Sequence, residues 1–369
     1  MKIALLYLGR TGAGPTYSIE YVKALLQKDV SIYAIVSSCA ENIDEWRALS
    51  KCYGTNKFLF REIYTYSSSK EFICKSLNLN NYFVLIKTIK RYAPDCIVST
   101  MVHPWHNVIF FLLRKNIKRI KIIHDVRPHR GEDNVLFRIL NYLDIHISDY
   151  WIVLTQKARD QLVELGINNA NVCVIPHANF ACYAKNEIKP ANKVFYRMAF
   201  IGRINKYKGL DVLLEAFRNV RLQIPNLRLR IAGNGDCTAY QPIFDELADS
   251  LDLDIRWIPD NEISNKLYDI DFVVLPYTEA TQSGVIPLAY AFGKTVIATN
   301  VGGLSEQVPE NVGILIQANN RMALENAIIE LYSNPDRIMY MGQNALRYAR
   351  KVLSWDRSAE LLIDFCNRI

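Results

Sequence analysis

Along the chain, short runs of Ile, Leu, Val and Tyr alternate with stretches in which apolar residues recur every three or four positions. The runs at 3–8, 30–37, 96–100 and 120–124 read as buried strands, and the spacing over 17–27 and 81–92 predicts helices between them. Residues 150–154, a helix over 156–165 and a strand over 172–176 close this half, and the polar stretch 183–193 reads as a linker. The pattern then restarts, with strands expected at 198–201, 227–232, 255–257, 272–276 and 295–299 and helices over 210–219 and 284–292. Strands alternating with helices imply parallel sheets covered on both faces. The expected fold is α/β: two Rossmann-like domains, 1–190 and 191–352, facing each other across a central cleft, with a last helix at 353–369 returning toward the first domain.

Composition narrows the class. The chain has 369 residues, half of them hydrophobic, with 16 Gly and 13 Pro, which excludes collagen-like and largely disordered proteins. No apolar run approaches the roughly 20 residues a membrane-spanning helix requires. The first ten residues carry too short an apolar run and no small-residue cleavage site, so they are expected to form a strand rather than a secretion signal. The eight cysteines are scattered with no close C-x-x-C pair, as expected of reduced, mostly buried thiols rather than a disulfide frame or zinc site.

The net charge of +7 is unevenly spread: residues 1–190 hold 25 Lys and Arg against 16 Asp and Glu, whereas residues 191–369 hold 19 against 21. Such asymmetry suggests that the first half meets something anionic. The densest cationic stretch, 114–121, follows the apolar run 109–113. That order suits contact with anionic lipid, and equally a solvated helix end leading into a strand. No module or aromatic-basic motif of a nucleic-acid binder is present, so nucleic acid is not an expected partner.

Each half opens with a strand, a Gly-containing loop and a helix, whose backbone N–H groups and dipole suit an anion. The first loop is Gly9-Arg10-Thr11-Gly12-Ala13-Gly14-Pro15, where the glycines serve either a ligand or the turn itself. The second is more specific. In Gly202-Arg203-Ile204-Asn205-Lys206-Tyr207-Lys208-Gly209, an Arg just after a strand and a Lys five positions on can converge on a diphosphate as a fork and a point charge.

The run 202–217 (GRINKYKGLDVLLEAF), with LRIAGNGD at 229–236, the long block 273–308 and SWDRSAELL at 354–362, resembles the carboxy-terminal half of family 4 retaining glycosyltransferases of the GT-B fold. The first half resembles that family more loosely, through its first loop, Ile123-His124-Asp125 and Val174-Ile175-Pro176-His177. The segment His124-Asp125-Val126-Arg127-Pro128-His129-Arg130-Gly131-Glu132 is similar to the HD-x-x-PH-x-GE of a subgroup that builds bacterial surface polysaccharides. The resemblance implies that Arg203 and Lys208 hold the donor diphosphate, that Gly235 lies in the loop near the nucleotide, and that Ser283, Gly284 and Val285 open a helix toward the phosphates. Glu306 matches a recurring family Glu, Gly12 the first-domain donor loop, and His124 with Asp125 the pair nearest the reacting sugar or the acceptor.

The sequence departs from the family at one place. Where relatives carry a Glu, seven residues and a second Glu, this chain has Ala280 and Leu288, and Glu279 is the candidate substitute. His103, His106, His129 and His177 show no short fixed spacing and define no metal site. Asp252-Leu253-Asp254 and Asp269-Ile270-Asp271 resemble metal-holding Asp-x-Asp motifs but read as ordinary acidic residues, so metal-independent transfer without a cofactor is expected.

The resemblance thus implies a metal-independent hexosyl- or other glycosyltransferase acting in O-antigen, capsule or exopolysaccharide synthesis. It would move sugar from a nucleotide-diphosphate sugar, a UDP- or GDP-sugar, to a lipid-linked or oligosaccharide acceptor, in the cytoplasm and peripheral to an anionic inner membrane. Two rivals share the fold: a nucleotide-sugar epimerase, which needs no acceptor, and a non-catalytic glycan-binding or transferase-partner protein, which turns over no donor.

Overall fold

The computed structural model describes residues 1–113, 117–127, 135–184, 186, 188 and 193–369, with the side chains of 69 and 135–138 left aside. The chain divides into two compact units. The first comprises 1–127, 135–176 and the closing segment Trp355–Ile369; the second comprises His177–Ser354.

In the first unit, strands β1 (Lys2–Tyr7), β2 (Ser31–Ser37), β3 (Phe58–Ile63), β4 (Cys96–Ser99), β5 (Lys118–Ile123), β6 (Tyr150–Val153) and β7 (Val172–Val174) form one sheet in the order β3-β2-β1-β4-β5-β6-β7. Every pairing is parallel, with Ile3 opposite Ile32 on one side and Cys96 on the other. Central strands buried on both faces explain the unbroken apolar runs. One face packs the helix Ala13–Leu26 and the closing helix Trp355–Arg368, whose Leu362 and Phe365 enter the same core as Tyr17 and Tyr21. The Tyr21 hydroxyl donates to the Ser358 carbonyl at 3.2 Å, fastening the returning helix. The helices Leu79–Tyr92 and Pro104–Leu112 pack the other face through Leu85, Ile89, Ile109 and Phe110.

The second unit is a parallel sheet of β8 (Arg197–Ile201), β9 (Arg228–Ala232), β10 (Leu251–Asp254), β11 (Phe272–Leu275), β12 (Thr295–Thr299) and β13 (Gly313–Ile316), ordered β10-β9-β8-β11-β12-β13. The order reverses at β8, and in open parallel sheets ligands bind outside the carboxyl ends of the strands beside such a point.

Several expectations change. The division falls between Pro176 and His177 rather than near 190, because Phe180 packs in a second-unit core and the Asn179 amide donates to the Ala349 and Leu353 carbonyls at 2.9 and 2.8 Å. The strand expected at 255–257 lies earlier, at β10, where Leu251 to Asp254 pair with Leu229 to Ala232. The cationic stretch is not a surface patch over its described part: Lys118, Arg119 and Lys121 belong to β5. Arg119 forks onto Asp149, and Lys121, fully buried, pairs with Asp144. Residues 114–116 lie outside the described residues. All eight cysteines are free thiols, but only Cys96 and Cys366 are buried, whereas Cys52, Cys74 and Cys182 are exposed. Among the described residues no helix is long and apolar enough to cross a membrane.

Candidate functional site

The chemistry expected of the second unit gathers at the carboxyl ends of β8, β9 and β11. Gly202 follows β8 with φ of 117°, a conformation that suits glycine, and its N–H donates to the Ala232 carbonyl at 2.9 Å. The β9 loop meets it closely: a Cβ on Gly233 would overlap the Gly202 carbonyl, so only glycine lets the two backbones touch. The contact continues where Ile204 N–H donates to the Asn234 carbonyl at 2.8 Å and Ile204 bridges Gly235. Two loops are thereby fused into one floor with an exposed backbone at Asn234 and Gly235.

Lys208 stands over that floor. A Cβ built on Gly202 would lie 3.6 Å from the Lys208 Nζ and 3.6 Å from a Val285 methyl, so ammonium and helix start flank the same glycine. The Lys208 ammonium donates to the Tyr277 hydroxyl at 3.0 Å and lies 4.6 Å from that ring's centre. The loop carrying Tyr277 is tied in turn to the loop carrying Lys208. Thr278 N–H donates to the Tyr207 carbonyl at 2.7 Å, and Gly209, at φ of 67°, sits so close to Pro276 that a Cβ would overlap its carbonyl. Arg203 is exposed on the same loop, and Lys208 is half-buried. The result is a cation held against the rings of Tyr277 and Tyr207, with the exposed Arg203 on the same loop, over a glycine floor.

The segment expected to open toward phosphate is built differently in detail. Ser283 N–H is already taken by the Gln307 side-chain oxygen at 2.7 Å, while the Gln307 amide donates back to the Ser283 carbonyl at 3.1 Å. Val285 N–H reaches the Ser283 hydroxyl at 3.3 Å. The short helix Val285–Ala291 therefore starts with its loop clamped by Gln307, a residue that sequence reading passed over for its neighbour Glu306, which is exposed. Gly284 approaches the buried His177, whose Nε2 would be 3.5 Å from an added Cβ.

Leu288 is 7% exposed and packs in an apolar core with Ile286 and Tyr290. Ala280 is buried too, its carbonyl receiving the Gly303 N–H at 3.4 Å and leaving no room for a Cβ on Gly302. Glu279, next to it, is half-exposed.

The acidic pairs hold protein cations. Asp269 meets Arg230 at 2.5 Å and also pairs with Arg197; Asp252 meets Arg230 at 2.7 Å; Asp254 meets Arg256 and Lys266 at 2.7 and 2.6 Å. Asp271 accepts the backbone N–H groups of Phe195 and Arg197. Among the described residues no three His, Cys, Asp or Glu are grouped to hold a metal ion.

The remaining expected residues lie on the first unit. His124 follows β5, donates from Nε2 to the Thr100 carbonyl at 3.1 Å and meets the edge of Tyr17 at 4.9 Å. A carbonyl only accepts, so Nε2 carries the proton and Nδ1 is the acceptor. Burial lowers the imidazole's pKa, outweighing the Asp125 charge and the Thr100 carbonyl, so the ring is neutral at pH 7. Gly12, at φ of 96°, precedes the helix Ala13–Leu26, and its N–H donates to the Glu41 carboxylate at 3.3 Å. His103 and His106 lie on the helix Pro104–Leu112 and at its start, while His177 belongs to the second unit. His129, with Pro128 and Arg130 to Glu132, lies outside the described residues.

The chain's resemblances agree with this geometry. Residues 196–334, most of the second unit, match the family described as Glycosyl transferases group 1, which is the family this segment supports. The D-inositol 3-phosphate glycosyltransferase of Corynebacterium kroppenstedtii is 31% identical over 179 residues, 45% of this chain and 39% of that protein. An uncharacterized glycosyltransferase of Haemophilus influenzae is 24% identical over 77% of this chain and 79% of its own. Matches to the curated D-inositol 3-phosphate enzymes thus span about two-fifths to half of their length. The fold extends over the whole chain. The structure of Anabaena HepE in complex with UDP superposes with a TM-score of 0.72 at 16% identity, covering 100% of both chains.

Proposed function

We propose that the protein is a retaining glycosyltransferase that moves a sugar from a nucleotide-diphosphate donor, a UDP- or GDP-sugar, to a lipid-linked or oligosaccharide acceptor of a surface polysaccharide. The observation that carries this reading is the Lys208 ammonium, braced on Tyr277 above the Gly202–Gly233 floor with Arg203 on the same loop. Fixed positive charge is what a departing nucleoside diphosphate requires, because negative charge grows on its β-phosphate as the sugar leaves. One such group contributes roughly 3–4 kcal/mol to transition-state stabilisation. Gly235, Ser283, Gly284, Val285 and Glu306 complete the donor side, with Glu279 standing in for the family's carboxylates. The solved HepE complex with UDP supports a nucleotide at this fold.

In the proposed mechanism the leaving phosphate itself draws the acceptor proton on the face it vacates, so no enzyme nucleophile forms a covalent intermediate. His124, neutral and donating from Nε2 to the Thr100 carbonyl, is the residue this reading assigns to the reacting sugar or the acceptor, and the Asp125 charge opposes the effect of burial on the ring. Arg203 and Lys208 supply the electrostatic work without a metal; the Asp-x-Asp carboxylates are engaged by Arg230, Arg256 and Lys266. The enzyme works in the cytoplasm at the inner membrane surface. The apolar burial of Leu288, where the family has a carboxylate, favours one rival, a non-catalytic binder.

The test is release of nucleoside diphosphate from UDP- and GDP-sugars by the purified chain, with lipid-linked oligosaccharide or D-inositol 3-phosphate as acceptor. Acceptor-dependent release, lost by about a hundredfold or more in Arg203→Ala and Lys208→Ala, supports the transferase. Nucleotide binding without turnover moves the weight to the binder, and turnover without acceptor to the epimerase.

A further inference from the structure

The first unit wears an apolar coat on one face of its sheet. The helices Leu79–Tyr92 and Pro104–Leu112 lie side by side there with their inner stripes buried, and Val135–His146 packs beside the second with Asp144 and Ile145 buried. Their outer stripes break the usual rule that solvent-facing positions are polar. Phe83 is 60% exposed on the first helix, Phe111 57% on the second, and Ile139 and Tyr142 52% and 61% on the third. The preceding helix, Ser69–Ser76, adds Ile73, with Leu77 just after its end, and is fastened to the coat by Trp105, whose indole donates to the Ser76 hydroxyl at 2.8 Å. Scattered exposed apolar residues mean little, but a patch shared by adjacent helices marks a surface that is covered in use.

The charges around it decide what covers it. On the helix Leu79–Tyr92, Leu79, Phe83, Lys87 and Lys90 fall along one stripe, apolar at its start and cationic at its end. Lys70, Lys87, Lys90 and Arg91 are all exposed. The four helices hold just two carboxylates: Glu71, which accepts from Tyr64 and Ser67, and Asp144, buried against Lys121. A second copy of the chain docking by the same face would set cation against cation. Apolar side chains rimmed by lysine and arginine suit a bilayer of anionic lipid, with the rings below the headgroups and the ammonium groups among the phosphates.

We infer that this face, rather than the 114–121 stretch, seats the first unit on an anionic lipid surface. The inference rests on the membrane-side acceptor reading above, and gives it a defined footprint in Phe83, Phe111, Tyr142, Lys87 and Lys90.

The experiment is co-sedimentation of the full chain with phosphatidylcholine vesicles made with and without phosphatidylglycerol, alongside thermal shift with UDP and GDP. Wild type is expected to sediment with the anionic vesicles and not with phosphatidylcholine alone. Phe83→Ser with Phe111→Ser should reduce partition by about tenfold or more. Lys87→Gln with Lys90→Gln should reduce it about fivefold per charge. Both variants should keep the wild-type urea midpoint and nucleotide response. Wild type failing to sediment, or either variant sedimenting as wild type does, overturns the inference. So does a wild-type dimer that Phe83→Ser with Phe111→Ser dissociates, since the face then belongs to a second copy. Vesicle binding without any nucleotide response supports the footprint and removes the donor assignment instead.

Discussion

The Lys208 ammonium donates a 3.0 Å hydrogen bond to the Tyr277 hydroxyl and lies 4.6 Å from the centre of the same ring. One tyrosine thus fixes the cation in two ways, by a directed acceptor and by the ring's negative face. Tyr277→Phe keeps the ring and removes only the acceptor. Nucleoside-diphosphate affinity is expected to fall about two- to tenfold, the worth of one hydrogen bond, while the fold is unchanged. Calorimetric titration checks it, and a loss as large as that of Lys208→Ala would mean that the hydroxyl meets the ligand itself.

Gly209 joins a positive φ of 67° to a carbonyl contact that leaves no space for a Cβ. Gly209→Ala must move either its own loop or the Pro276 loop, and with it the Lys208–Tyr277 pair. A loss of about 1–3 kcal/mol in urea unfolding is expected, together with weaker nucleotide binding. Unchanged stability and affinity would show that the floor yields more readily than its packing implies.

The buried pair in β5 makes a sharper stability prediction. Lys121 is fully buried against Asp144, with Asn107 Oδ1 at 3.4 Å as its other partner. Asp144→Ala strands a buried cation and should cost about 3–5 kcal/mol. Pairing that change with Lys121→Met should recover most of the loss, which a two-variant denaturation series reads directly.

His103 supplies the pH dependence. It caps the helix Pro104–Leu112 by accepting the Trp105 N–H at 3.2 Å, and burial, helped by the Lys121 charge, pulls its pKa from 6.5 down to about 3. Buried His106 is shifted the same way. In each case the unfolded chain binds the proton first, so stability is full above pH 6.5 and falls with pH below it, the His103 share being lost as pH falls toward about 3. Each ring contributes a slope of up to about 1.4 kcal/mol per pH unit. His103→Asn retains a capping side chain and should flatten the urea-midpoint profile between pH 6 and 4 by about one ring's share.

Much of this was legible because the donor loop is local: strand, Gly202, Arg203, Lys208 and the following helix are consecutive, so spacing alone set their relative places. What was hidden is long-range. Lys121 and Arg119 find Asp144 and Asp149 at 23 and 30 residues' distance, so a linear reading sees cations where the fold makes ion pairs. Tyr277 and Gln307 are equally silent in sequence, because each acts on a loop 69 or 24 residues away. The exposed Phe83 and Phe111 sit in ordinary amphipathic patterns, and only the packing of three helices shows which apolar residues point outward.

The central claim is that Arg203 and Lys208 hold the diphosphate of a nucleotide-sugar donor. Calorimetric titration of UDP and GDP into wild type, Arg203→Ala and Lys208→Ala tests it most directly. The account predicts that one of the two nucleotides binds wild type and that each variant weakens it by about tenfold or more at unchanged fold, as expected for losing a charge-assisted contact. Wild-type affinity in both variants, or no binding of either nucleotide to the wild type, would contradict it.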